Sequence, residues 1–159
     1  MPDLLVKLYA LETPTASRAA MAAAGITIRP AIGPEKRPVA AWVAERFGEG
    51  WASEVDVAFA HQPVGCLVAV KDGTLLGFAC YDATARGFFG PTGVDPGQRG
   101  LGIGEALLRE TLEAMRHQGH AYAIIGAAGP IAFYEKIVGA VQIPGSTGGL
   151  YHGMIRPKS

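Results

Sequence analysis

A glycine-rich stretch between a short apolar run and a long amphipathic segment limits the possible folds of this chain most. The apolar run covers residues 87–94, the glycine-rich stretch covers 94–104, and the amphipathic segment continues to 118. Apolar residues recur every three or four positions in that segment, which predicts a long helix. A turn that ends a strand and begins a helix has free backbone N–H groups, which favour a bound phosphate together with the helix dipole. The sequence therefore predicts a phosphate-binding turn in an α/β fold.

The spacing of the glycines excludes two common nucleotide motifs. A P-loop ends in Gly-Lys-Ser or Gly-Lys-Thr, whereas Glu105 and Ala106 follow Gly104. A dinucleotide fingerprint requires a glycine three positions after Gly102, where Glu105 stands. Taken alone, these residues also allow an ordinary strand-to-helix turn without a ligand.

The remaining periodicity predicts a mixed α/β sandwich in one domain over residues 1–159. A core spans 26–156, and residues 1–25 add a strand and a helix in front of it, as an edge strand or as support for a homodimer. The Asp72-Gly73 pair between two apolar runs predicts a β-hairpin. Strands are expected at 6–11, 26–29, 66–70, 75–81, 87–94, 121–125, 141–143 and 150–155, and helices at 13–24, 33–47, 53–60, 102–118 and 129–137.

Composition limits the partners and the compartment. Lys plus Arg and Asp plus Glu number 14 each, so no basic field favours nucleic acid. We find no signal-peptide pattern and no apolar run of about 20 residues, so we expect a cytoplasmic protein without a membrane segment. Cys66 and Cys80 are expected to be thiols and possible cross-strand neighbours. No pair of histidines has metal-ligand spacing, so no metal is expected.

Two segments together resemble one protein family. Arg99-x-x-Gly102-x-Gly104 resembles the CoA pyrophosphate loop of the GNAT superfamily of acyl-CoA N-acyltransferases. Residues 132–140, Ala-Phe-Tyr-Glu-Lys-Ile-Val-Gly-Ala, resemble that family's Phe-Tyr-x-Lys-x-Gly-Phe signature on the helix after the fifth core strand. The expected element order over 27–156 is also that of the family. Many relatives carry an asparagine after the fifth core strand, whereas this chain has Gly-Ala-Ala-Gly-Pro at 126–130.

The resemblance implies a central, mostly antiparallel sheet, splayed in the middle and flanked by helices. It implies acetyl-CoA as co-substrate, held in the gap between strands 87–94 and 121–125, and Tyr134 as the general acid that protonates the departing thiolate. The alternative is that Tyr134 packs as a core aromatic, and Phe133 could equally be the core member. The residues expected to bind acetyl-CoA are Gly93, Val94, Arg99, Gly100, Leu101, Gly102, Ile103, Gly104 and Phe133.

The acceptor is expected to be a small-molecule primary amine that attacks the thioester directly. Its walls would be residues 47–60 and 144–149. The candidate lining residues are Trp51, Phe59, Phe88 and Tyr151, each of which could instead belong to the core. No carboxylate stands on strand 87–94, so the general base is open between Glu54, Asp56, Asp82 and a water relay. A non-catalytic acyl-CoA-binding module on the same fold is the alternative function.

Overall fold

A computed structural model describes residues 1–158, which form a single open sheet with helices on both faces. The sheet order is β2-β3-β4-β5-β6-β1-β7, and every neighbouring pair is antiparallel except β5 and β6. This architecture confirms the predicted fold class. The strands and α-helices are β1 Leu4–Lys7, α1 Thr15–Ala23, β2 Thr27–Pro30, α2 Lys36–Phe47, α3 Glu49–Phe59, β3 Cys66–Lys71, β4 Thr74–Tyr81, β5 Phe88–Val94, α4 Ile103–His117, β6 Tyr122–Ile125, α5 Ile131–Val138 and β7 Val141–Gln142.

Helices on both faces explain why β3 and β4 read as continuous apolar runs rather than alternating ones. Phe78 and Cys80 of β4 belong to a core that α2 and α3 complete, with Val43 and Val55 among its members. Residues of β4 that face the other way, such as Ala79, belong to a second core that includes the apolar faces of α1, α4 and α5. Both faces of β3 and β4 are therefore covered by apolar side chains.

The β3–β4 hairpin forms at the Asp-Gly pair, as predicted. Asp72 and Gly73 have φ angles of +49° and +73°, the two positive values that a type I′ turn requires. The register places Cys66 opposite Cys80. Both are buried free thiols, and burial raises the pKa of Cys80 well above its ordinary value.

The N-terminal strand differs from the prediction in its extent and its place. It covers Leu4–Lys7, and the residues that follow, Leu8–Ala10, form a 3₁₀ turn. Instead of standing at the edge in front of the core, β1 lies inside the sheet between β6 and β7. Leu4 and Val6 are fully buried there, so the first residues of the chain form part of the core.

The strand predicted at residues 150–155 is wrong. Residues Gly149–Tyr151 form a 3₁₀ turn, and no strand follows within the described part of the chain. The place beside β6 is already taken by β1, and Gly148, Gly149 and Gly153 adopt positive φ angles that do not fit a strand.

The bounds of two helices, α3 and α4, differ from the predicted ones. Helix α3 begins at Glu49, four residues earlier than expected, because Gly48 at φ +101° ends α2 and lets the next helix start at once. The longest helix, α4, has 15 residues. Over residues 1–158, no helix combines the length and the apolar character needed to cross a bilayer.

Candidate active site

A gap opens between the two parallel strands in the middle of the sheet. Strands β5 and β6 pair only at Phe88 with Ile124 and at Phe89 with Ile125. Beyond Phe89, β5 continues to Val94 while it pairs with β4 alone. Alternate residues of an antiparallel strand turn their N–H and C=O groups away from its partner, so this half of β5 offers backbone groups to the gap.

The gap leads into a cavity of about 690 Å³. Its floor and walls come from β5, from the turn before α4, from the turn after β6 and from the first residues of α5. The lining residues are Met1, Trp51, Phe89, Gly90, Pro91, Thr92, Gly93, Val94, Gln98, Arg99, Gly100, Gly102, Ile103, Gly104, Glu105, Leu108, Ile125, Gly126, Ala127, Ala128, Gly129, Pro130, Phe133 and Tyr134.

The glycine-rich turn presents a row of free amides at the cavity wall. Gly100 and Gly102 have φ angles of +87° and +82°, the left-handed region that glycine adopts without strain. The first amide of α4 with a backbone partner is that of Ala106, which donates to the Gly102 carbonyl. Within residues 1–158, the N–H groups of residues 99–105 donate no hydrogen bond. With the positive end of the α4 dipole, this wall is suited to an anion.

The residues predicted to bind acetyl-CoA reach this cavity with one exception. Leu101 is not part of the lining, and its side chain is 54% exposed. Arg99 lies at the mouth of the cavity, exposed to solvent. Ile103 is buried beneath the helix start, so its contribution to the wall is apolar.

Tyr134 lines the cavity, and its ring contacts the rings of two phenylalanines. Its ring meets those of Phe133 and Phe89 edge to face, with centroids 5.3 Å and 6.3 Å apart. The residue is only 6% exposed, and its hydroxyl makes no hydrogen bond to any described residue. Burial raises the pKa of Tyr134. The phenol is therefore a neutral O–H donor with no partner inside the protein.

Gly93 has a packing role that sequence reasoning missed. A Cβ on Gly93 would lie 2.5 Å from the tip of the Phe47 ring. Phe47 stacks in turn on Trp51 and Phe78, at centroid distances of 5.1 Å and 6.0 Å. Gly93 therefore lets an aromatic cluster lie directly on β5, and through Trp51 this cluster reaches the cavity.

The four residues predicted to line the acceptor site lie in different places, and of them only Trp51 lines the cavity. Phe59 belongs to the core and does not line the cavity. The Tyr151 hydroxyl and the Phe88 ring both lie against Gly126, where a Cβ would be 2.8 Å and 2.9 Å from them. Gly126 is part of the cavity wall, so these two side chains lie directly behind it.

The three candidate bases have different surroundings. Asp56 is exposed. Asp82 accepts a hydrogen bond from the Gly87 amide at 2.6 Å and pairs with His120 at 3.0 Å, which are contacts of a structural residue. Glu54 is half-buried and accepts a hydrogen bond from the Thr84 hydroxyl. Burial raises the pKa of Glu54, and the Thr84 bond opposes that rise.

Sequence reasoning missed the contribution of the N-terminal residues to the site. Met1 and the turn 126–130 line the cavity, and the Asp3 carboxylate accepts a hydrogen bond from the Ala127 amide at 2.8 Å. Nothing in a linear pattern relates residues so far apart. In the described part of the chain, no three His, Cys, Asp or Glu side chains are grouped so that they could hold a metal ion.

The fold and the sequence both have known counterparts. The sequence model of the acetyltransferase (GNAT) family matches residues 36–140. A search of curated proteins gave no match. A GCN5-related N-acetyltransferase from Sphaerobacter thermophilus is 25% identical, with a TM-score of 0.66 over 89% of this chain and 48% of that one.

Two further structures share the fold at lower identity. A glucosamine N-acetyltransferase region of a fungal multi-domain GH3 β-N-acetylglucosaminidase is 15% identical, with a TM-score of 0.74 over 89% of this chain and 19% of that one. A GNAT acetyltransferase from Brucella melitensis, crystallised with acetyl-CoA, is 22% identical, with a TM-score of 0.53 over 70% of this chain and 80% of that one. The chain thus spans less than half the length of the fungal and Sphaerobacter proteins.

Proposed function

Because the chain belongs to the acetyltransferase (GNAT) family, we propose that it moves an acetyl group from acetyl-CoA to a primary amine of a small molecule. One observation carries the proposal: the unpaired amides belong to the turn 99–105, and six of its seven residues line a cavity that opens between two parted strands. A diphosphate needs such donors, and an extended amide-containing arm needs unpaired strand backbone. The Brucella protein, which shares this fold, was crystallised with acetyl-CoA, and that complex supports acetyl-CoA as the donor.

The donor would be held by two kinds of group. The amides of residues 99–105 and the guanidinium of Arg99 supply positive charge for the pyrophosphate. The free half of β5, around Gly93 and Val94, supplies N–H and C=O groups for the pantetheine arm. Phe133 adds an apolar surface to the cavity wall.

The chemistry requires a neutral amine, a stabilised oxyanion and a protonated leaving group. The amine nitrogen attacks the thioester carbon, the new C–N bond forms, and the C–S bond breaks as the tetrahedral intermediate collapses. Tyr134 donates its phenolic proton to the departing sulfur, which leaves as the thiol of CoA. The proton that the amine nitrogen loses returns Tyr134 to its neutral form. Tyrosine has an ordinary pKa of about 10 and is already protonated at neutral pH, and burial raises the pKa of Tyr134 further.

Glu54 is the candidate that best fits the role of general base. Its carboxylate is half-buried on α3 and does not itself line the cavity, but it lies three residues, nearly one helical turn, after Trp51, which does. A raised pKa brings a carboxylate closer to the range in which it can accept a proton from an ammonium ion. We propose that the acceptor enters on this side of the sheet, beside Trp51 and Tyr151.

The test measures donor binding and turnover separately. Calorimetry with CoA, ATP and NAD identifies the ligand of the glycine-rich turn, and thiol release from acetyl-CoA in the presence of small amines and lysine-rich peptides identifies the acceptor. We expect CoA to bind, ATP and NAD not to bind, and small amines to be acetylated. Transfer only to lysine-rich peptides would refute the acceptor class. CoA binding without turnover of any amine would favour the non-catalytic acyl-CoA-binding module.

We further propose that the protein acts in the cytoplasm. Cys66 and Cys80 stand opposite each other across two strands and are not bonded, which is compatible with a reducing compartment.

A further inference from the structure

The turn after β6 contains a backbone conformation that alanine seldom adopts. Ala127 has a φ angle of +47°, in the left-handed region that costs most residues free energy. Such a conformation persists only where its surroundings hold it. Two hydrogen bonds to the N-terminal segment hold it in place. The Ala127 amide donates to the Asp3 carboxylate at 2.8 Å, and the Ala128 amide donates to the Pro2 carbonyl at 3.1 Å.

We propose that Asp3 is a positioning residue for the donor site, which rests on the proposed function. Its carboxylate fixes the turn 126–130, and all five residues of that turn line the cavity. The turn ends at Pro130, whose carbonyl accepts hydrogen bonds from the amides of Phe133 and Tyr134 at 3.1 Å and 3.3 Å. The position of the turn therefore sets the start of α5, and with it the position of the Tyr134 ring.

Asp3 also holds the loop on the other side of β1. Its amide donates to the Ser146 hydroxyl at 2.8 Å, and its carbonyl accepts a hydrogen bond from the Ile143 amide at 2.9 Å. A Cβ on Gly149 would lie 3.1 Å from the Asp3 carboxylate. Asp3 thus connects the donor wall at 126–130 with Ile143 and with the loop 144–149, which was expected to wall the acceptor.

The carboxylate is the element of this network that a substitution can remove. A hydrogen bond from an amide to a charged oxygen is stronger than one between neutral groups. Without it, Ala127 has an unpaired amide and an unfavourable φ angle, so the turn is expected to relax toward negative φ and to displace the cavity wall. The backbone bonds of Asp3 to Ile143 and Ser146 survive the substitution, so β1 stays in the sheet.

Asp3→Ala and Asp3→Asn test the proposal, with Leu5→Ala as the matched control. Leu5 is half-buried in β1, two residues after Asp3, and its partners in the register are Ile124 and Val141 rather than the turn. We expect Asp3→Ala to weaken CoA binding in calorimetry about tenfold, to raise the KM for acetyl-CoA similarly, and to lower kcat by more than about threefold, because the displaced turn also moves the Tyr134 ring. Asp3→Asn, whose amide oxygen still accepts from Ala127, should recover most of the affinity.

Amide hydrogen exchange separates this inference from the proposed function. Asp3→Ala should accelerate exchange at Ala127 and Ala128 in the free protein, whereas Leu5→Ala should not. Unchanged exchange at these amides would overturn the positioning role even if CoA binds. Loss of affinity in Leu5→Ala equal to that in Asp3→Ala would reduce Asp3 to a structural residue. Absence of CoA binding to the wild type would overturn the proposed function and this inference with it. If Asp3→Ala does not fold, Asp3→Glu misplaces the same charge and should still weaken CoA binding at least threefold.

Discussion

Tyr134→Phe separates the two roles that this residue can have. The substitution removes one oxygen that makes no hydrogen bond to the described residues, so no protein group loses a partner. We therefore expect the free energy of unfolding to change by less than about 0.5 kcal/mol. As a general acid, Tyr134 would contribute about 100-fold to turnover, which corresponds to about 2.7 kcal/mol of transition-state stabilisation. The affinity for CoA should stay within about twofold, because the ring remains.

The assay is thiol release from acetyl-CoA with the best amine, combined with calorimetry for CoA and thermal unfolding. Tyr81→Phe is the matched control, since Tyr81 is also buried, has a pKa raised mainly by burial, and does not line the cavity. It should leave kcat within about twofold. Retention of more than half of kcat in Tyr134→Phe, or equal losses of kcat and CoA affinity, would refute the acid role and favour a core aromatic.

Three further outcomes are expected. Gly93→Ala should destabilise the protein by about 1–3 kcal/mol in urea unfolding, because its Cβ would overlap the Phe47 ring, and a neutral result would contradict the packing role. Glu54→Gln should lower kcat/KM about 100-fold at neutral pH, whereas Asp56→Asn on the exposed face of α3 should have little effect; equal effects would exclude Glu54 as the base. Glu35→Gln should lower the free energy of unfolding by about 1 kcal/mol at pH 7, because the hydrogen-bonded ion pair with Arg29 lowers the pKa of Glu35 to about 2. This stabilisation is fully present above the ordinary carboxyl pKa of 4.5 and is lost as the pH falls toward 2. In unfolding experiments at different pH values, the wild type and the variant should therefore become equally stable near pH 2.

The parts of the fold that local chemistry determines could be predicted from the sequence. The Asp72-Gly73 turn needs two positive φ angles, and the residue types alone indicate this. The amphipathic pattern of α4 and the glycine at its C-terminal end likewise depend on neighbours within a few residues. The donor-side residues could be proposed from the sequence because the glycine-rich turn and the Phe133-Tyr134 pair lie in short, contiguous segments.

The parts that depend on distant partners could not be predicted. The sequence 150–155 is apolar enough for a strand, but β1 already occupies the place beside β6. Asp3 looks like an ordinary terminal carboxylate until the fold brings it to Ala127. Gly93 reads as a ligand-binding glycine, whereas its contact with Phe47 emerges only when α2 packs on the sheet.

The place of β1 in the sheet also bears on how the chain reaches its native state. Leu4 pairs with Ile125 and with Gln142, so β1 must wait during synthesis for partners that lie much later in the chain. Pairings between such distant residues slow folding, because the entropy of closing a long loop is lost before the native contacts form and compensate for it. Until then the hydrophobic edge of β6 is uncovered, and a nascent or refolding molecule is most exposed to aggregation at that edge.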